Sequence, residues 1–181
     1  MSATNTVVET ADGWILPLAG RVVTKCLVDF AFTMDFWVAR DDLATIRIGG
    51  AFELATDGHR LQLEPEAPTE LGPALGLHQR EVQRAFAARD GSLEVTFTDG
   101  TVLRVPANPS YEAWDAHFKD GAILVSQPGG RVAYWSARPS ASSPPPPASP
   151  TSLRLRMCRE LRLVRRRLLE RVIDYFTTRS S

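Results

Sequence analysis

The sequence predicts a mainly β domain, α+β at the margin. It is read as an antiparallel, hairpin-rich sheet forming a sandwich or partly open barrel, with one or two short helices and a separate C-terminal helix. Three observations carry this expectation. Asp-Gly pairs recur along the chain, apolar and polar residues alternate between them, and composition and period change abruptly after Arg138.

The pairs are Asp12-Gly13, Asp57-Gly58, Asp90-Gly91, Asp99-Gly100 and Asp120-Gly121, with Gly49-Gly50 and Gly129-Gly130 beside them. Asp-Gly supplies the turn chemistry and the positive φ that tight hairpins require. Around Asp90-Gly91, Val82, Arg84 and Phe86 are set against Leu93, Val95 and Phe97; Val102, Leu103 and Val105 follow Asp99-Gly100. That is a three-stranded meander. Strands are likewise expected over Arg21–Asp29, Ala31–Val38, Ala44–Ile48, Phe52–Ala55 and His59–Leu63, and a closing hairpin joins Ile123–Ser126 to Arg131–Trp135. Gly20–Lys25 resembles Gln79–Arg84 in pattern, a weak hint of a repeat of about 60 residues.

Two short helices are expected inside this region. Glu70–Leu77 holds Pro73 and allows one or two turns. Asn108-Pro109 reads as a cap followed by a first-turn proline, opening a helix that lays Tyr111, Trp114 and Phe118 on the sheet.

The domain reading is a flexible start over 1–13, a β-rich domain over 14–138, a Pro/Ser-rich linker over 139–152 and an amphipathic helix over 153–178. In that helix Met157, Leu161, Val164, Leu168, Val172 and Tyr175 form an apolar stripe opposite Arg159, Arg162, Arg166 and Arg167. The formal net charge of zero hides an asymmetry. Met1–Arg138 holds 12 Lys/Arg and 18 Asp/Glu, a net of −6, and Pro139–Ser181 holds 9 Arg and 3 acids, a net of +6.

The 181 residues are 44% hydrophobic and 23% charged, as in ordinary globular proteins. No apolar run reaches the roughly 18 residues of a membrane span, and the polar start has no secretory-signal pattern. Cys26 and Cys158 fall in different segments, so no disulfide framework is expected and a cytoplasmic location is.

Several blocks together resemble an uncharacterised family of small, mainly actinobacterial proteins. They are Trp14–Gly20, Asp29-Phe30-Ala31-Phe32, Leu71–Leu75, Leu93–Gly100 and Tyr111–Trp114, and the resemblance runs from about Trp14 to Trp135. It implies a compact β-rich domain with no assigned activity. The linker and arginine helix depart from the pattern, which leaves a docking helix and a non-native tail both open.

No motif for a nucleophile, phosphate loop or metal is present. His59, His78 and His117 are isolated, and Cys26 sits in an alternating apolar strand as a structural thiol. No cofactor and no catalytic residue are expected. The candidate interaction residues are Asp29, Asp35 and Trp37, from the aromatic-acidic stretch that ends at Asp41-Asp42, and Arg159, Arg162, Arg166 and Arg167 in the tail. The leading expectation is a non-enzymatic protein-binding or regulatory module, with self-association or docking through the C-terminal helix. The alternatives are a small-ligand binder or enzyme with its site near Asp29–Asp42, or a tether through the basic helix. For that tether an anionic membrane surface is eligible. Nucleic acid is disfavoured by the acidic domain and the absence of a recognition fold.

Overall fold

A computed structural model describes residues 6–39, 42–56 and 58–136. The expected linker over 139–152 and helix over 153–178, with Arg159, Arg162, Arg166 and Arg167, lie outside the described residues.

Thirteen strands form among the described residues. They are β1 (Val8–Glu9), β2 (Gly13–Ile15), β3 (Lys25–Val28), β4 (Phe32–Ala39), β5 (Asp42–Ile48), β6 (Phe52–Thr56), β7 (His59–Leu63), β8 (Val82–Ala88), β9 (Leu93–Phe97), β10 (Val102–Val105), β11 (Trp114–His117), β12 (Ile123–Gln127) and β13 (Arg131–Trp135). A 3-10 turn (Pro68–Glu70) and a one-turn helix α1 (Gly72–Leu75) fall between β7 and β8. All ladders are antiparallel. A seven-stranded sheet runs β1-β2-β8-β9-β10-β6-β7, and a six-stranded sheet runs β13-β12-β11-β5-β4-β3. Inward residues of both sheets share one core, in which the Phe32 ring of β4 stacks on Phe52 of β6 at 5.6 Å. The architecture is a sandwich, not a closed barrel.

The hairpins form where Asp-Gly placed them, and one local bond recurs. In three turns an aspartate Oδ1 accepts the backbone N–H two residues on: Ser92 to Asp90 at 2.9 Å, Thr101 to Asp99 at 3.0 Å, and Ala122 to Asp120 at 3.0 Å. The glycine between adopts the left-handed φ that such turns favour, +85° at Gly91, +86° at Gly100 and +81° at Gly121.

The chain is also doubled. The meander β3-β4-β5 lies in the six-stranded sheet, and the following hairpin β6-β7 crosses to pair with β10 in the other. The meander β8-β9-β10 lies in the seven-stranded sheet, and the following β11-β12-β13 crosses back to pair with β5. Each half completes the other's sheet. The two look-alike segments mark the start of each half, and they bond to one another. Val23 N donates to Arg80 O at 2.9 Å, Gln79 N to Val23 O at 2.8 Å and Val82 N to Arg21 O at 2.8 Å. The crossings are stitched too, since Gly49 N and Gly50 N both donate to Ala113 O, at 2.9 and 3.0 Å. Each half holds an arginine–aspartate pair at matching places, Arg21 with Asp42 at 2.8 Å and Arg80 with Asp99.

One polar node lies inside the sandwich. The Gly91 carbonyl, at the β8–β9 turn, accepts from Trp114 Nε1 at 2.8 Å and from Ser126 Oγ at 2.8 Å. Both donors come from the opposite sheet and both side chains are buried. The indole and hydroxyl therefore tie the two sheets together where no water reaches.

Three expectations are corrected. The segment over 108–115 is not helical. Asn108 Oδ1 accepts from Ser110 N at 2.8 Å and Tyr111 N at 3.3 Å, as a helix cap would, but the chain then turns into β11. Trp114 and Phe118 are buried as expected, while Tyr111 is exposed. Next, Val82, Arg84 and Phe86 do not share a face. A bulge between Val82 and Arg84 turns Ala85 and Ala87 inward and sends Arg84 out, its guanidinium 4.7 Å from the Phe86 ring centre. Last, strand pairing begins at Val8 rather than at Trp14. Arg89 holds this β1–β2 hairpin by donating to Glu9 Oε1, Thr10 O and Ala11 O, and lies 4.2 Å over the Trp14 ring.

Candidate interaction surface

Asp29, Asp35 and Trp37 fall on the β3–β4 hairpin at the edge of the six-stranded sheet. Asp29 is spent on the turn. Its Oδ1 accepts Ala31 N at 2.8 Å and its N donates to Ala31 O at 3.1 Å. The aspartate bond to the N–H two residues on recurs from Asp90, Asp99 and Asp120, but the turn differs: Phe30 stands where those turns have a left-handed glycine, and its own φ is not positive. The ring is left 80% exposed, the most exposed large apolar side chain among the described residues.

The chain reverses between the two acids, and Asp35 stands four positions along β4 from the Asp29–Ala31 level, about 13 Å at strand rise. It accepts from Thr45 Oγ1 at 2.9 Å and lies 3.8 Å from Lys25 Nζ. The two carboxylates therefore do not converge. Asp42, from the adjacent acidic pair, is engaged with Arg21, and Asp41 lies outside the described residues. Cys26, on β3, is a free thiol whose pKa is pushed up to about 11 by partial burial and then by the Asp35 charge. It is protonated at neutral pH and a poor nucleophile there.

Trp37 is 46% exposed. Its N–H donates to Thr24 Oγ1 at 3.1 Å, and the Thr24 hydroxyl in turn donates to Asp35 O at 3.0 Å. The β4–β5 register shifts between Trp37 and Ala39, and this irregularity leaves Val38 62% exposed beside it. Leu27, at 43%, completes the set. Trp14 and Trp114 are core residues by contrast, and Trp135 is exposed on β13. Sequence reading missed Leu27, Phe30 and Val38. Phe30 carried a signal in Asp29-Phe30-Ala31, a turn motif whose tip must face water.

Three concavities of about 620, 580 and 510 Å³ lie elsewhere, and neither Asp29 nor Asp35 lines any of them. The first covers the outer face of the seven-stranded sheet. There Arg104 lies between Glu94 at 2.9 Å and Glu53 at 3.4 Å, and Arg60 adds a contact to Glu53 at 3.6 Å. Hydrogen bonding to Glu94 raises the Arg104 pKa further. These are cross-strand charge pairs that neutralise one another. Among the described residues no three His, Cys, Asp or Glu side chains gather as a metal site would need, and no helix is long and apolar enough to cross a membrane.

A family model described as a family of unknown function, DUF6188, matches residues 14–136. The chain belongs to this family. The DUF6188 region thus opens at Trp14 in β2 and ends just after β13, taking in both crossed halves and the whole β3–β4 edge. No curated protein and no solved structure matches the chain.

Proposed function

We propose that this DUF6188 domain is a non-enzymatic, cytoplasmic protein-binding module that acts through its β3–β4 edge. The observation that carries the reading is Phe30. The Asp29–Ala31 turn presents an aromatic ring to water, on the same hairpin as Leu27, Trp37 and Val38. Apolar side chains grouped at the surface mark contact sites, and aromatic residues supply much of the binding energy where such sites are used. A protonated, free Cys26 beside them suits a reducing compartment.

The test is a photo-crosslinking amino acid at position 37 of the full chain, expressed in its native cell. A discrete crosslinked product is expected, reduced at least tenfold by Phe30→Asp, while the same probe at Leu75 on α1 gives none. Absence of any product at position 37, or an equal yield at both positions, overturns the reading.

A further inference from the structure

β3 is an edge strand, so one row of its backbone N–H and C=O groups has no partner in the sheet. Edges are ordinarily blunted. At the β7 edge of the other, seven-stranded sheet, one large apolar side chain, Leu61, is exposed beside the charged Arg60. The β3 edge is different. Leu27, Phe30, Trp37 and Val38 are all exposed on it or next to it.

The sequence of this edge is self-complementary. An antiparallel pairing with a second copy, with its two-fold axis at Leu27, sets Lys25 opposite Asp29 of the other copy, twice. Cys26 then faces Val28, and Leu27 faces Leu27. Lys25 is 57% exposed and only loosely set against Asp35 at 3.8 Å, and Asp29 is exposed with Oδ1 on the Ala31 N–H, so the ammonium and the second carboxylate oxygen can meet across the axis. Beyond the paired strands, the same register brings the turn residue Phe30 of one copy toward the side chain of Thr24 of the other, whose carbonyl lies 3.2 Å from His78 Nε2. Thr24 is the residue whose hydroxyl accepts the Trp37 N–H, so Trp37 stands one strand away, about 4.8 Å. The two most exposed aromatic side chains of the hairpin are thereby drawn to one place on each side of the axis.

We infer that the β3 edge pairs with the β3 edge of a second copy of this chain, joining two six-stranded sheets into one continuous antiparallel sheet. This rests on the reading of the β3–β4 edge as a contact surface and names its occupant. A single-axis contact uses the same residues twice and closes on itself, so it yields a dimer and not a fibre. The mixed composition of the strand fits this: Lys25 and Asp29 favour this register over others, in which like charges or unpaired charges would face one another.

The experiment uses the full chain. Light scattering on a sizing column is expected to give twice the 20.0 kDa chain mass at high concentration, with the monomer appearing on dilution. Leu27→Glu puts two carboxylates face to face at the axis, and a shift of the dimer–monomer midpoint by at least tenfold is expected. Lys25→Asp weakens association in the same direction, and adding Asp29→Lys in the same chain restores it. Because Asp29 also forms the turn, a second variant stands beside these. Leu27→Cys, in a background with Cys26→Ser and Cys158→Ser, is expected to form an intermolecular disulfide under mild oxidation. Residues directly opposite in an antiparallel pair have Cα atoms about 4.5–5.5 Å apart, within disulfide range. Leu61→Cys in the same background is expected not to crosslink. A monomer at every concentration, or a dimer indifferent to Leu27→Glu and uncrosslinked through Leu27→Cys, overturns the inference. The photo-crosslink at position 37 separates this from the broader reading. A product at twice the chain mass supports self-pairing. A product with a different protein overturns self-pairing and leaves the contact surface standing, and no product removes both.

Discussion

The buried Gly91 carbonyl gives the sharpest test of how the two sheets are held together. It accepts from Trp114 Nε1 and Ser126 Oγ, both at 2.8 Å, in the interior of the sandwich. Ser126→Ala removes one donor and leaves the other in place, so the loss is that of a single hydrogen bond, about 1 kcal/mol. Trp114→Phe removes the other donor together with part of a buried indole, so about 2–4 kcal/mol is expected. In the double variant the carbonyl is buried with neither side-chain donor, and an unsatisfied buried acceptor costs a further ~1–3 kcal/mol. The double loss should therefore exceed the sum of the single losses by at least ~1 kcal/mol. The assay is urea unfolding of the four proteins in a double-mutant cycle, followed by tryptophan-independent circular dichroism. Losses that add to within about 0.4 kcal/mol would refute the argument, because residues sharing no partner behave that way.

Three further outcomes follow from the structure. Cys26 has its pKa raised from 9.0 to about 11, so the folded state holds that proton more tightly than the unfolded chain; its contribution to stability is complete below pH ~9 and is lost as pH rises toward 11. Urea titrations in a Cys158→Ser background should show this alkaline slope and Cys26→Ala should flatten it, with Asp35→Asn speeding thiol labelling at pH 8. The Arg21–Asp42 pair is mostly buried, with side chains 10% and 14% exposed, whereas Arg80 and Asp99 are each 38% exposed. Arg21→Met should cost about 3 kcal/mol and Arg80→Met about 1 kcal/mol in thermal or chemical unfolding, and the reverse order would contradict the burial argument. Finally, a protease site placed between Glu66 and Ala67 should yield, after cleavage, two fragments that stay together on a sizing column and part only in denaturant, since β6 is bonded to β10 and β11 to β5.

Most hairpins were legible because their turns are local. Asp90-Gly91, Asp99-Gly100 and Asp120-Gly121 each fix a turn with one aspartate bond and one left-handed glycine, and the flanking alternation shows which side chains turn inward. That alternation does not say which sheet a strand joins, so the exchange of hairpins between the two meanders was hidden. The faint likeness of Gly20–Lys25 to Gln79–Arg84 was its trace, and the structure shows those segments bonded to one another. The segment after Asn108 misled because a side-chain oxygen accepting two nearby N–H groups serves a turn as well as a helix start. The bulge at Val82–Arg84 shifts a face by one residue, which no periodicity reveals in advance. At the candidate surface, Asp29, Asp35 and Trp37 were found on one hairpin, but the acids serve the turn and the sheet, and the exposed residues are their apolar neighbours.

The crossed arrangement of the halves has a consequence for how the chain is made. β5 is complete once residue 48 has been synthesised, yet its hydrogen-bonding partner β11 begins at Trp114. For the intervening stretch of translation, the inner edge of the first meander has nothing from its own half to pair with. Pairings this distant in sequence form late and slow folding, and an open strand edge on a nascent chain invites association with neighbours. The short meanders close early on their tight turns, but the domain becomes safe from such contacts only when the second crossing hairpin emerges.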